Sequence, residues 1–151
     1  MAIKQFHQYA SIPISVFEQL VTIDQKVMDF PWRKEQWESY LQEQIDWMIL
    51  TLENDELIQG FILFELSEDK WSHLLKIGVS SEFKRQGIAR ALMSESLSKL
   101  KKDFDSCSLE VREGNLSAIS LYEKFHFKPV HHMKNYYSDG SHAIKMLAAL
   151  R

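Results

Sequence analysis

The chain has 151 residues, which favours one domain and is long enough to bury a core without disulfides or metals. Its composition, 45% hydrophobic, 12% aromatic and 26% charged, is that of an ordinary globular protein. The formal net charge of −3 excludes an argument for nucleic-acid binding from overall charge, and the apolar stretches are too short for a membrane span or a signal peptide. The single Cys107 cannot form an internal disulfide, so we expect a reducing, cytoplasmic location.

The charges are distributed unevenly along the chain. Residues 35–69 contain ten acidic residues and no lysine or arginine, whereas residues 76–102 contain seven basic residues and two acidic ones. This asymmetry is consistent with solvated faces that differ in sign. It is equally consistent with a surface that attracts cations in the first segment and an anion site in the second.

The first third of the chain predicts one strand and two helices. Residues 2–10 are predicted as a strand, and a helix begins near Ser11 and Pro13. The apolar face of that helix is predicted to consist of Ile14, Phe17, Leu20, Val21 and Ile23. Phe30-Pro31-Trp32 interrupts the helical region, because proline disfavours helical backbone in the residue before it. A second helix is predicted from the spacing of Trp37, Tyr40, Leu41 and Gln44.

The rest of the chain predicts six strands and two helices. Residues 47–52 and 57–66 flank the turn residues Asn54-Asp55 and predict a hairpin, and 71–79 is a third strand. Helices at 87–104 and 115–125 then alternate with strands at 105–112, 127–137 and 142–150. The order β-α-α-β-β-β-α-β-α-β-β predicts a mixed sheet covered by helices. No repeat, low-complexity segment or linker divides residues 1–151, so we expect one domain.

Residues 77–92 predict an anion site. An apolar strand leads through a polar loop to Gly87 and into a helix, whose first backbone N–H groups are free and lie at the positive end of the helix dipole. A phosphate is the usual occupant of such a site, and Lys84, Arg85 and Arg90 add positive charge. Close packing of the helix on the sheet would also explain Gly87. The chain has neither G-x-x-x-x-G-K-[ST] nor G-x-G-x-x-G, which argues against a P-loop nucleotidase or a dinucleotide dehydrogenase.

The same loop resembles a family signature. Lys84-Arg85-Gln86-Gly87-Ile88-Ala89 is similar to the Arg/Gln-x-x-Gly-x-Gly/Ala turn of the GCN5-related N-acetyltransferases (GNAT), whose loop amides hold the pyrophosphate of acetyl-CoA. Lys84 stands where the family usually has Gln or Arg, and Ala89 is the permitted alternative to Gly. The resemblance implies the α/β (α+β) GNAT fold, a mixed and mostly antiparallel seven-stranded sheet flanked by about four helices. It also implies acetyl-CoA as cosubstrate and no metal.

A second stretch narrows the resemblance. Residues 109–127, LEVREGNLSAISLYEKFHF, are similar to the L-E-V-R-x-x-N-x-x-A-I-x-L-Y-E-x-x-G-F stretch of the RimI-type ribosomal-protein-alanine N-acetyltransferases. Phe30-Pro31-Trp32 resembles the substrate loop of protein N-terminal acetyltransferases, and Asn135-Tyr136-Tyr137 resembles the C-terminal hairpin of the RimI type. The likeness covers roughly residues 28–148. His126 stands where the family usually has Gly, so we expect a positive φ there and a modest cost in stability.

The resemblance implies direct attack of an amine on the acetyl thioester. Glu110 is similar to the family's general base, although strand alternation alone is also satisfied by a solvent-facing carboxylate. Tyr122 resembles the acid that protonates the CoA thiolate, although its spacing also fits a core tyrosine. Asn115 is a good N-cap and, by resemblance, a cofactor contact. The other implied cofactor-binding residues are Ile77, Gly78, Val79, Lys84, Arg85, Gln86, Gly87, Ile88, Ala89 and Arg90; those implied for the acceptor slot are Phe30, Pro31, Trp32, Tyr136 and Tyr137.

The acceptor that the resemblance implies is a protein N-terminal amine, such as the N-terminal alanine of a ribosomal protein. An α-amine has a pKa near 7.7–8.0, whereas lysine near 10.4 would demand about 3 kcal/mol more to become neutral. A weak carboxylate base therefore suits an N-terminal amine better. The alternatives are a small amine or a lysine as acceptor, or an acyl-CoA-binding module without catalysis. We expect no nucleic-acid or membrane partner and a monomer or weak dimer, and the acidic segment is a candidate attractant for a cationic N-terminus.

Two further features predict no chemistry. His131-His132 does not predict a metal site, because adjacent strand residues point to opposite faces of a sheet. Cys107 is predicted to be a buried strand residue rather than a nucleophile, because direct transfer needs no acyl-enzyme and no histidine is near it in sequence.

Overall fold

The computed structural model describes residues 2–44 and 46–151 and gathers seven strands of that part of the chain into one sheet. The strands are β1 (Ala2–Phe6), β2 (Trp47–Asn54), β3 (Leu57–Leu66), β4 (Trp71–Val79), β5 (Ser106–Arg112), β6 (Lys128–Met133) and β7 (Ala143–Ala149). The helices are α1 (Ile14–Val27), α2 (Lys34–Glu43), α3 (Ile88–Leu100) and α4 (Leu116–Lys124). The sheet order is β1-β2-β3-β4-β5-β7-β6. Only the β4–β5 pair among these neighbours is parallel, so the predicted mixed, mostly antiparallel sheet is confirmed.

Several predicted bounds were too long. The strand expected over 2–10 ends at Phe6, and a turn of 3-10 helix at Tyr9–Ser11 follows it. The helix expected over 87–104 ends at Leu100, and the strand expected over 127–137 ends at Met133. Ile14, predicted for the apolar face of α1, is 78% exposed because it is the first residue of the helix, ahead of the turn in which Phe17 reaches the core.

The β2–β3 hairpin forms as predicted, with its turn one residue later than expected. Asn54 is the last residue of β2 and pairs with Leu57. The two turn residues are Asp55 and Glu56, whose φ angles are +49° and +66°. Positive φ at both positions is the geometry of a type I′ turn, which matches the twist of the strands that it joins.

Apolar side chains cover both faces of the sheet. On one face, Leu20 of α1 and Trp37 of α2 are fully buried in one cluster. On the other face, Leu92 of α3 and Tyr122 of α4 belong to a second cluster. Gly60 of β3 lies under α3, and a Cβ built on it would be 2.8 Å from Ile88 Cγ2. A larger residue at position 60 would therefore push α3 away from the sheet.

The parallel strands β4 and β5 separate halfway along their length. Their pairing runs from Trp71 and Ser106 to Leu74 and Leu109, and beyond it the described residues give β4 no partner on that side. The register of β4 against β3 shifts at the same level, so that Leu75 is an extra residue in β4. Such a β-bulge bends the strand and re-aims its side chains. The sheet therefore opens between β4 and β5.

No helix of residues 2–44 and 46–151 combines the length and the apolar character needed to cross a membrane.

Candidate active site

A cleft of about 620 Å³ lies where β4 and β5 separate, and we call it the β4–β5 cleft. This volume is within the range of about 300–1,000 Å³ that small-molecule sites occupy. The loop between α1 and α2, the beginning of α4 and the loop between β6 and β7 contribute its walls. The predicted site residues that line it are Phe30, Trp32, Ile77, Gly78, Val79, Lys84, Ala89, Glu110, Asn115, Tyr122, Tyr136 and Tyr137.

The other predicted site residues lie outside the lining of this cleft. Ile88, the first residue of α3, is buried with its side chain against Gly60 of β3. The remaining ones, at the rim of the cleft or beyond it, are Pro31, Arg85, Gln86, Gly87 and Arg90. A contact from these loop residues to a ligand in the cleft would therefore come from their backbone or from extended, exposed side chains.

The loop before α3 presents free backbone amides. Gly87 precedes α3 with a φ of +77°, and Arg85 has a φ of +64°. A Cβ built on Gly87 would meet nothing within 4 Å, so glycine is favoured there by backbone conformation and not by lack of space. Across the described chain, none of the amides of residues 84–90 donates to a backbone carbonyl outside its own helix. This arrangement fits a phosphate or pyrophosphate group.

The unpaired edge of β4 fits a second kind of ligand group. From residue 75 onward the backbone of β4 lines the cleft and has no strand partner on the β5 side among the described residues. An extended ligand that carries amide groups can hydrogen-bond such an edge as an added strand would. Gly78 packs toward α1, since a Cβ built on it would lie 3.3 Å from Val27 Cγ2 and 3.4 Å from Ile23 Cγ2. The edge and the loop before α3 together fit the pantetheine arm and the pyrophosphate of CoA.

Glu110 lies on β5 in a small hydrogen-bonded cluster. Its Oε1 accepts from the Tyr136 hydroxyl at 3.2 Å and lies 3.3 Å from His73 Nε2. A carboxylate only accepts, so Nε2 is the donor, and Nδ1 of a neutral His73 accepts from the Ser108 hydroxyl at 2.6 Å. The hydrogen bond from His73 is the main cause that lowers the pKa of Glu110, with Tyr136 and Lys145 adding to it against the effect of burial. Glu110 is therefore ionised at neutral pH.

The second oxygen of Glu110 has no hydrogen-bond partner among the described residues, because both contacts fall on Oε1. An ionised carboxylate with one free oxygen in a cleft can accept a proton from a bound group or from a water molecule. The cluster thus orients the carboxylate while leaving its basic position open.

Tyr122 lines the cleft from α4. It is 7% exposed and its ring packs against Phe127 at a centroid distance of 6.0 Å, so the tyrosine is both a core residue and a cleft residue. Burial raises the pKa of Tyr122 to about 12, which keeps its hydroxyl protonated at neutral pH. Asn115 caps α4, with its side-chain oxygen accepting from the Ala118 amide at 3.2 Å. A protonated phenol in this position can donate to a leaving group.

An aromatic pair and an arginine join two walls of the cleft. Phe30 and Tyr137 stack with their centroids 5.1 Å apart and their planes 5° apart. The Arg112 guanidinium lies 5.2 Å and 5.4 Å from the two ring centroids. Arg112 also pairs with Asp29 at 3.4 Å and with Asp139 at 3.0 Å. The loops on either side of the cleft are therefore held together by one side chain.

Sequence reasoning missed His73, Lys76 and Arg112, all of which line the cleft. Arg112 lies in the recognised LEVR stretch and could have been found by its alternation with Glu110. His73 and Lys76 carry no motif, and only the register of β4 against its neighbours brings them to the site.

The remaining candidate nucleophile and metal ligands lie elsewhere. Cys107 is fully buried, and burial raises the pKa of its thiol to about 11. His132 pairs with Glu113 at 3.2 Å on the exposed side of β6. No cluster of three or more His, Cys, Asp or Glu side chains suited to a metal ion occurs among residues 2–44 and 46–151.

Comparison with known proteins identifies the family. Residues 17–127 match the Acetyltransferase (GNAT) family model. An N-alpha-acetyltransferase of Saccharolobus solfataricus is 42% identical over 80 residues, which are 52% of this chain and 48% of that protein. The [ribosomal protein bS18]-alanine N-acetyltransferase of Escherichia coli K12 is 30% identical over 116 residues, 76% of each chain. The crystal structure of the ribosomal-protein-S18-alanine N-acetyltransferase from Escherichia coli is similar with a TM-score of 0.84 at 25% identity, over 99% of this chain and 94% of that one.

The matched region spans about half the length of the N-alpha-acetyltransferases that this chain matches. The family match itself extends over most of the chain, and it includes the loop before α3, the separation of β4 and β5, and α4 with Tyr122. The chain belongs to the GNAT acetyltransferase family.

Proposed function

We propose that this protein transfers the acetyl group of acetyl-CoA to the N-terminal α-amine of a protein or peptide, with the N-terminal alanine of a ribosomal protein as the favoured acceptor. The observation that carries the proposal is the ionised Glu110 carboxylate, which keeps Oε2 free in the β4–β5 cleft that Tyr122 also lines. A related N-alpha-acetyltransferase and a related ribosomal-protein-alanine N-acetyltransferase support the choice of acceptor.

The residues that would hold acetyl-CoA are those of the unpaired β4 edge and of the loop before α3. The amides of residues 84–90 and the Lys84 side chain would bind the pyrophosphate, and the backbone of residues 75–79 would pair with the pantetheine arm. When bound there, acetyl-CoA supplies the activated thioester carbonyl. A β4 amide turned to the thioester oxygen stabilises the negative charge that develops on it.

Two side chains move protons in the proposed reaction. Glu110 Oε2 accepts the proton of the attacking amine, directly or through a water molecule, while His73 and Tyr136 hold Oε1. Tyr122 donates its hydroxyl proton to the departing sulfur. A carboxylate with a lowered pKa is a weak base, which suits an α-amine with a pKa near 7.7–8.0 better than a lysine near 10.4.

The aromatic wall would receive the acceptor's N-terminus. Phe30 and Tyr137 stack across the mouth of the cleft, and the Tyr136 hydroxyl contacts the proposed base. The stacked rings and Arg112 join the two loops on this side of the cleft, and an extended peptide end is the acceptor proposed to lie against them.

The test is a peptide panel assayed with acetyl-CoA. Peptides with a free N-terminal Ala are compared with the same peptides carrying a blocked N-terminus and an internal Lys, and with small amines. We expect acetylation of the free N-termini only. Acetylation confined to lysine or to small amines would refute the proposed acceptor.

A binding measurement completes this test. Acetyl-CoA is expected to raise the melting temperature of the protein, because a ligand that binds only the native state stabilises it. A thermal shift without transfer to any amine would indicate an acyl-CoA-binding module, and no shift at all would remove the cofactor assignment.

A further inference from the structure

A buried ion pair joins α1 to β4 beside the cleft. Lys76 Nζ lies 3.0 Å from both carboxylate oxygens of Asp24, and the two side chains are 5% and 0% exposed. Burial lowers the pKa of Lys76, and the Asp24 carboxylate acts in the opposite direction. The desolvation of two charges cancels much of their attraction, so such a pair is weak support for stability. We therefore consider which parts of the structure the Asp24–Lys76 pair positions.

Asp24 also binds the loop between α1 and α2. Its Oδ2 accepts from the Trp32 amide at 3.0 Å and from the Trp37 indole N–H at 2.8 Å. The Trp32 carbonyl in turn accepts from Gln25 Nε2 at 2.7 Å. Both backbone polar groups of Trp32 are therefore held by side chains of α1.

Lys76 holds the ring of the same residue. Its Nζ lies 4.4 Å from the centroid of the Trp32 ring, a cation–π contact inside a desolvated site. Lys76 follows the extra residue Leu75, at the level where β4 leaves β5, and both Lys76 and Trp32 line the cleft. The bulge thus turns a charged side chain of the β4 edge toward the opposite wall.

We propose that Asp24 and Lys76 are positioning residues that fix Trp32 against β4 and thereby set the affinity for the acceptor, while binding of the cofactor is independent of them. This inference rests on the proposed function, because it assigns the α1–α2 loop to the acceptor. The Asp24–Lys76 pair connects the acceptor wall to the strand that would bind the thioester arm, so the distance between the two substrates depends on it.

Steady-state kinetics of Lys76→Met tests the proposal, since methionine keeps much of the side chain's length and removes its charge. We expect the KM for an N-terminal Ala peptide to rise about tenfold, equivalent to ~1.4 kcal/mol, with the KM for acetyl-CoA within about twofold of the unaltered protein. The matched control is Lys4→Met, which breaks the 2.7 Å Lys4–Glu53 pair between β1 and β2, away from the cleft. Neither KM should change in the control. An unchanged peptide KM in Lys76→Met, or an equal rise of both KM values, would show a structural role only.

Hydrogen exchange gives a readout that needs no activity. In Lys76→Met, amides of residues 28–34 should exchange faster, with the β2–β3 hairpin unchanged. Equal exchange of residues 28–34 in the two proteins would overturn the proposal even if the unaltered protein acetylated no peptide, so the two failures can be told apart. If Lys76→Met does not fold, Asp24→Asn decides by the same measurement, because it keeps an amide oxygen as acceptor and removes the charge that pairs with Lys76.

Discussion

Replacement of Glu110 by glutamine is the most direct test of the proposed chemistry. Glutamine keeps the size of the side chain and an oxygen that can accept from Tyr136 and His73 at the Oε1 position. The free Oε2 becomes an amide nitrogen, which donates and cannot accept a proton. The change therefore removes the proposed base and leaves the contacts around it in place.

The expected loss is about 100-fold in kcat/KM, the low end of the ~10²–10⁴-fold range for general acid–base catalysis. The low end applies because the hydrogen bond from His73 lowers the pKa of Glu110 and makes the carboxylate a weaker base. The loss corresponds to ~2.7 kcal/mol of transition-state stabilisation. The thermal shift produced by acetyl-CoA should be retained, because the β4 edge and the loop before α3 are untouched.

The pH profile separates this role from a general effect of charge. Glu110 is ionised well below neutral pH, so the rise of kcat/KM with pH should follow deprotonation of the acceptor amine, near pH 7.7–8.0. Glu110→Gln should lower the plateau without moving its midpoint. The matched control is Glu113→Gln, which removes an exposed carboxylate paired with His132. Activity of Glu110→Gln within about threefold of the control, or a shifted midpoint, would refute Glu110 as the base.

Four further outcomes are expected. Tyr122→Phe should lower kcat about 100-fold with the acetyl-CoA thermal shift retained, and unchanged turnover would remove the proposed acid. Gly87→Ala forces a non-glycine residue to a φ of +77°, so differential scanning calorimetry should show a loss of ~1–2 kcal/mol and titration a weaker binding of CoA; equal CoA affinity would separate the loop from the cofactor. His126→Gly removes a non-glycine residue from a φ of +70° after α4, so the free energy of unfolding measured in urea should rise by ~0.5–1 kcal/mol. An unchanged urea midpoint would show that His126 is not strained. Because the pKa of Glu110 is lower in the native than in the unfolded protein, its ionised carboxylate stabilises the native state at pH values above the unfolded-state pKa. The difference in unfolding free energy between the unaltered protein and Glu110→Gln should therefore shrink as the pH falls from about 6 to about 3, and a growing difference would contradict this reasoning.

The two residues predicted as base and acid both line the cleft, and both come from one continuous motif. Glu110 and Tyr122 belong to one recognisable stretch, and the order of strands and helices around them follows from period-two and helical patterns that are local. His126 illustrates the same point, since its position after a helix predicted the positive φ that the structure has. Local backbone requirements leave a signal in neighbouring residues.

The residues that sequence reasoning missed depend on register between strands. His73 reaches Glu110 because β4 and β5 are paired at Leu74 and Leu109, a relation between segments that lie 35 residues apart in the chain. Lys76 is one of the seven basic residues counted in the segment 76–102, but the bulge at Leu75 turns it to α1. A bulge inserts one residue and breaks the alternation from which a face is assigned, so no single-strand pattern predicts where Lys76 points.

Contacts between distant segments also alter how the uneven charge distribution of the sequence is interpreted, because they pair some of the basic residues with carboxylates. Of the basic residues in 76–102, Lys76 is neutralised by Asp24 and Lys99 lies 3.7 Å from Glu95 on the next turn of α3. Paired charges contribute little field outside the protein. The groups near the proposed pyrophosphate site are three exposed side chains of the loop and of the first turn of α3, Lys84, Arg85 and Arg90.

The acidic segment 35–69 likewise contains both paired and unpaired carboxylates. Glu53 is paired with Lys4 at 2.7 Å, whereas Glu65 accepts from the neutral Tyr40 hydroxyl at 2.8 Å and keeps its charge. The attraction of an anion to the cleft then depends on the oriented backbone amides and on the three exposed basic side chains, and salt screens these contributions over about 8–10 Å. Binding of CoA should accordingly weaken with salt far less than a segment with seven basic residues would imply.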